Sequence, residues 1–140
     1  MEALLLSVHV IAGILFVGPV AVSTSLFPRY APDAGEVARV LHRITRVYGL
    51  LAVIVPVVGL ALAAAQGRTT EVWVLVAMLL TAIAGGLLAL QIAPRQREAL
   101  AATAGGVTGL RQLGMLTGVF NLLWAVVVVL MIVRPGSSYA

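Results

Sequence analysis

Ionisable and polar side chains are scarce inside the apolar stretches of this 140-residue chain, and the few that occur there are the candidates for chemistry. His9 lies about two turns into the first apolar run, Leu4-Leu5-Leu6-Ser7-Val8-His9-Val10-Ile11. An ionisable group at bilayer depth is costly and raises a functional hypothesis by default. Gly13 follows one turn deeper on the same helical face and is expected to leave room beside the imidazole. Together they could admit a planar ligand such as haem or a quinone, relay a proton, or ligate a metal. The alternative is a histidine hydrogen-bonded to a neighbouring helix. The other histidine, His42, falls near the opposite end of a span, so the two cannot share one metal ion within one chain. No metal site is expected, and haem is the one cofactor these residues suggest.

Asn121 is the most central polar residue. Unpaired in hydrocarbon it would be costly, so it should bond across helices, with Thr81 or the carbonyls freed by Pro56 as partners. That role is structural glue, or alternatively a substrate or quinone contact; Gln91 and Thr117 are weaker candidates of the same kind. No carboxylate lies inside any apolar run, which argues against a carboxylate-driven pump. There is no P-loop, zinc-spaced histidine pair or nucleophile elbow. Gly105-Gly106 with Gly109 is glycine-rich but follows no strand, and reads as a flexible turn.

The elements that would position these residues are four apolar runs at about 3–27, 44–65, 72–93 and 112–133. Each can cross a hydrocarbon core of about 30 Å, which takes about 20 helical residues. Composition agrees: 61% hydrophobic and 10% charged, where a soluble domain would be about a quarter charged. The reading is an all-α, four-helix transmembrane bundle forming one domain over 1–140. Cysteine is absent, so disulfides and thiolate metal sites are excluded. The first run has Glu2 where a signal peptide carries basic residues, and reads as a membrane helix.

All nine basic residues are arginine, and the net charge is +4. They cluster at span edges, which fits orientation and lipid headgroups rather than nucleic acid. Arg29, Arg39, Arg43 and Arg46 fall between the first two spans; Arg95, Arg97 and Arg111 fall between the last two. Only Arg68 and Arg134 lie on the other side. The positive-inside rule then places the first and third loops in the cytoplasm and both termini outside a cell membrane. Tyr30 and Tyr48 lie near the inner interface, Trp73 and Tyr139 near the outer one.

The halves echo each other. Ile11-Ala12-Gly13 matches Ile83-Ala84-Gly85, Pro28-Arg29 and Pro94-Arg95 end their helices, and Arg46-x-x-Gly49 matches Arg111-x-x-Gly114. Two repeated helical hairpins are one possibility; chance matching of alanine-rich helices is the other. In lipid, small residues let helices approach closely. Ala77, Thr81, Gly85, Ala89 and Ala93 form such a stripe, as do Gly114 and Gly118 with Asn121 and Ala125, Gly59 with Ala63, and Ala21 with Ser25. These are the expected interior faces, or, for an outward stripe, a contact with a partner or a second copy. Pro56, and also Pro19, should bend their helices.

A segment at 33–48 leads into the second span. Asp33 and Glu36 have capping-box spacing. Val37, Val40, Leu41, Ile44, Val47 and Tyr48 fall on one face, and Glu36, Arg39, Arg43 and Arg46 on the other. The amphipathic extension fits an interfacial anchor whose basic face meets anionic headgroups or an acidic partner.

The opening Leu6-Ser7-Val8-His9-Val10-Ile11-Ala12-Gly13, with Gly18 and Arg29, resembles uncharacterised bacterial four-helix integral membrane proteins that carry a helix-1 histidine. More distantly it resembles the copper-resistance-D and protoporphyrinogen-oxidase-like membrane proteins. The wider resemblance implies haem or copper at His9, without the further histidines and acids of the redox members. Three functions follow as expectations. The chain is a non-catalytic accessory or scaffold subunit of a larger membrane complex, or a homo-oligomer of that kind. Alternatively it is a haem- or quinone-associated redox protein using His9. The third reading is a small oligomeric transporter or channel.

Overall fold

The computed structural model describes residues 2–33, 35–101 and 109–135. They form four helices, α1 (Ala3–Tyr30), α2 (Glu36–Ala65), α3 (Val72–Ala101) and α4 (Leu110–Val133), each long and apolar enough to cross a membrane. The fold is an all-α four-helix bundle, the make-up of a multi-pass membrane protein. The Gly105-Gly106 turn and Tyr139 lie outside the described residues.

α1 and α3 run past the ends of their apolar runs because Pro28 and Pro94 do not end them. Proline lacks the N–H that a helix needs and its ring presses on the carbonyl four residues back. In α1 a π turn over Gly13–Val17 precedes Gly18-Pro19, and in α3 a π turn over Leu88–Ile92 precedes Ala93-Pro94. The wider turn shifts the hydrogen-bond register just ahead of the proline, so the helix continues. Pro94 therefore does not end α3, which runs on through Arg95 and Gln96 to Ala101. Pro28 likewise sits inside α1, which reaches Tyr30. Pro56 acts differently. α2 is interrupted at Ala52-Val53, and Val55 N–H bonds the Ala52 carbonyl at 3.0 Å in a tightened turn.

α1 packs along α2, and α3 along α4. The two hairpins join where α1 meets α4 and where the first half of α2 meets the end of α3. The main core lies toward the arginine-rich end, around Phe27, Ile92, Leu113, Val20, Leu41 and Phe120. A smaller cluster of Ala63, Trp73 and Val74 lies toward the terminal end. Most valines and leucines point outward; Leu50 and Ile132 are each 75% exposed. Ser23, Thr24, Thr45, Gln96 and Thr117 are buried. Polar side chains inward and apolar side chains outward is the arrangement lipid favours, since burying leucine away from lipid gains nothing comparable to burying it from water.

The start of α2 departs from the predicted amphipathic split. Its buried face is Ala38, Leu41, His42 and Thr45, while Val37, Val40 and Val47 are exposed beside Arg39, Arg43 and Arg46. His42 and Thr45 go inward because they find hydrogen-bond partners there, in Gln96 and Ser23. The helix is not opened by an Asp33–Glu36 capping box either: its N-cap is the extended Gly35, with no side-chain cap.

Phe27 is fully buried, against the ring of His42 at 6.5 Å. Phe27→Ala should destabilise the fold by about 3 kcal/mol, the low end for a buried phenylalanine because lipid rather than water is the alternative. Leu122→Ala, on the exposed face of α4, should leave stability almost unchanged in the same detergent-unfolding titration; equal losses would contradict this core.

Candidate functional site

His9 is buried between α1 and α2, where its Nδ1 meets the Val55 carbonyl at 3.0 Å. A carbonyl only accepts, so Nδ1 is the donor. The partner is the residue before Pro56, in the turn that the proline distorts. The space for the ring comes from Gly59, not Gly13. A Cβ on Gly59 would lie 2.8 Å from His9 Cε1, whereas one on Gly13 would meet nothing within 4 Å. The imidazole thus occupies a notch that only glycine leaves open, and pins α1 to α2 toward the terminal end of the bundle.

Near the arginine-rich end a second polar cluster spans α1, α2 and α3. His42 Nδ1 donates to Gln96 Oε1 at 2.9 Å, with Gln96 fully buried and its Nε2 unpartnered. One turn along α2, the Thr45 and Ser23 hydroxyls share a hydrogen bond across the helix pair at 2.8 Å, and each also faces a carbonyl of its own helix, Leu41 and Val20. Nothing in the expected spans drew attention to Gln96, because the third run was expected to stop at residue 93. The spacing of Ile92, Gln96 and Ala99, all buried, does continue an interior helical face past the proline.

Asn121 does bond across helices, but its partner is Ser25 of α1. Nδ2 donates to Ser25 Oγ at 3.1 Å, and Trp124 Nε1 donates to Asn121 Oδ1 at 3.1 Å. Thr81 is not involved; its hydroxyl donates to the Ala77 carbonyl in its own helix. Thr117 donates to the Thr24 carbonyl at 3.5 Å, a further tie from α4 to α1. Gly85, Gly114 and Gly118 do not line the interior. All lie open, with nothing within 4 Å of where a Cβ would stand; the buried face of α4 is Leu113, Thr117, Phe120 and Val127 instead. At the terminal end Arg68 pairs with Glu71 at 3.9 Å, Trp73 Nε1 donates to the same carboxylate, and Arg134 lies over the Trp73 ring at 5.8 Å.

Copper or a two-histidine haem at His9 needs further ligands, and the described residues bring none there. His42 packs at the level of Phe27, 18 residues along α1 from His9, or roughly 27 Å at the helical rise. Among the described residues no three His, Asp or Glu side chains gather into a metal-holding group. The described residues do not fit a self-contained copper centre or a two-histidine haem, and in this structure each histidine ties two helices together. Comparison of the chain with protein-family models, with curated proteins and with solved structures finds no match.

The His9 notch gives a coupled prediction. Gly59→Ala should cost roughly 1–3 kcal/mol in reversible unfolding, and the cost should largely vanish in a His9→Ala background. Additive effects of the two changes would show that the imidazole does not press on Gly59.

Proposed function

We propose that this chain is a non-catalytic accessory or scaffold subunit of a larger complex in a bacterial cytoplasmic membrane. The observation that carries this reading is the outward placement of its small residues. α4 turns Gly114, Gly118 and Ala125 away from the bundle, and α3 does the same with Gly85 and Ala89. Helices in lipid associate where small residues allow close backbone approach. Among the described residues these faces have no neighbours, and they fit helices from a partner subunit or from a second copy. The polar interior supports the same reading: its hydroxyls, amides and imidazoles are spent largely on one another, tying helices together.

The orientation we propose has the arginine-rich loops in the cytoplasm and both termini outside. The asymmetry of the arginines supports it. It is sharpened by Arg68 and Arg134, on the other side, being engaged with Glu71 and Trp73.

The chain has no cysteine, so single introduced cysteines report cleanly. Gly118→Cys and Gly85→Cys in native membranes should give cross-linked species of defined mass, whereas Ile14→Cys, on the exposed face of α1, should not. A protein that stays monomeric and unlinked in all three variants, with no companion on native gels, would refute the subunit reading. Thr69→Cys and Arg97→Cys should label from opposite sides of the membrane; labelling from one side would overturn the orientation.

A further inference from the structure

The arginine-bearing face of α2 borders an open groove of about 600 Å³ that reaches to the end of α3. Arg39, Arg43 and Arg46 form its rim, and Val47, Leu50 and Leu100 form its apolar wall; His42 completes it. We propose that this groove is a binding site for a phospholipid that carries two phosphates.

The order of residues carries the argument. Along α2 the cations come first and the apolar residues follow, Arg39, Arg43, Arg46, then Val47 and Leu50, running from the helix end toward mid-span. A phospholipid has the same sequence of chemistry along its length, headgroup and then acyl chain. An acidic protein at the membrane surface would meet the arginines but not the wall below them, where Leu50 is three-quarters exposed.

The arginines are available. Among the described residues none of Arg39, Arg43 and Arg46 forms an ion pair. They are spaced one turn apart, so their stems span about 10 Å along the axis. A guanidinium holds a phosphate through paired hydrogen bonds, and one phosphodiester, with two free oxygens, cannot give three guanidiniums a paired partner each. Two phosphates joined by a short linker can. The fourth polar group is fixed in place: His42 is held by Gln96 and backed by Phe27, so the groove has a rigid floor rather than a mobile one. A preformed site loses little freedom on binding. Basic pockets between membrane helices are known recognition sites for such headgroups.

The test uses the full chain in mild detergent, titrated separately with diphosphatidylglycerol, phosphatidylglycerol and phosphatidylcholine at equal phosphate, with bound lipid counted by native mass spectrometry. Diphosphatidylglycerol should bind at least about tenfold more tightly than phosphatidylglycerol, and the combined Arg39→Gln, Arg43→Gln, Arg46→Gln variant should abolish that preference. Leu50→Trp, which leaves the charge intact and fills the apolar wall, should also weaken it. Arg29→Gln with Arg111→Gln, exposed arginines of the same end outside the groove, should leave it unchanged. Equal loss in that control would mean diffuse attraction and overturn the proposal, as would equal affinity for phosphatidylglycerol. Poly-glutamate that displaces the lipid and still binds the Leu50→Trp variant fully would overturn it in favour of an acidic protein partner. Unchanged helical circular dichroism in each variant excludes misfolding as the cause.

Discussion

A bilayer interior offers no water to hydrogen-bond a peptide group, and the whole structure follows from that. Each apolar run must be helical so that its N–H and C=O groups pair internally. Each polar side chain at depth must then find a partner on a neighbouring helix or bend back to its own backbone. Ser7, Thr24, Ser25 and Thr81 take the second course. His9, His42, Ser23 and Asn121 take the first, and each of these becomes a tie between helices. Helix association has no hydrophobic drive in lipid, so such ties and close packing hold the bundle.

The prolines show how the same constraint is met when the backbone itself is defective. Two are preceded by π turns that carry α1 and α3 onward. Pro56 instead interrupts α2, and the carbonyl beside it accepts a hydrogen bond from His9. A histidine that reads as a candidate ligand is thereby used to fasten a broken helix, and Gly59 supplies the space its ring needs. The bundle is pinned at two levels, by His9 toward the terminal end and by His42 with Gln96 toward the arginine-rich end, with the densest packing around Phe27 at the latter. Firm packing at that end is also what makes the neighbouring groove a fixed shape.

The interior of α4 shows why small-residue stripes mislead. Gly114 and Gly118 lie four apart, the spacing that permits close helix approach, yet the bundle buries Leu113, Thr117 and Phe120 on the other side of the helix. Three neighbours cannot surround a helix, so a bundle of this size leaves one face of each to lipid or to another chain. Which face is left depends on the packing of larger residues, and a list of glycines does not contain it.

Class and architecture were legible in the chain because they depend on composition and run length. Apolar stretches with arginines at their edges specify helices that can cross a membrane, and they specify how many. Residue-level expectations fared unevenly for a physical reason. That Asn121 must bond across helices follows from its chemistry; that Ser25 is the partner depends on the rotation of α1 against α4. That His9 needs space follows from its size; that Gly59, fifty residues away, supplies it depends on how α1 and α2 cross. Gln96 follows a proline that ends the apolar run, and only the π turn that carries α3 past Pro94 puts it in the interior. The sequence alone determined which segments enter the membrane, because that is a transfer free energy summed along a run. Tertiary structure alone decided which side chains meet, because helix rotation, crossing and π-turn register are set by packing among distant residues.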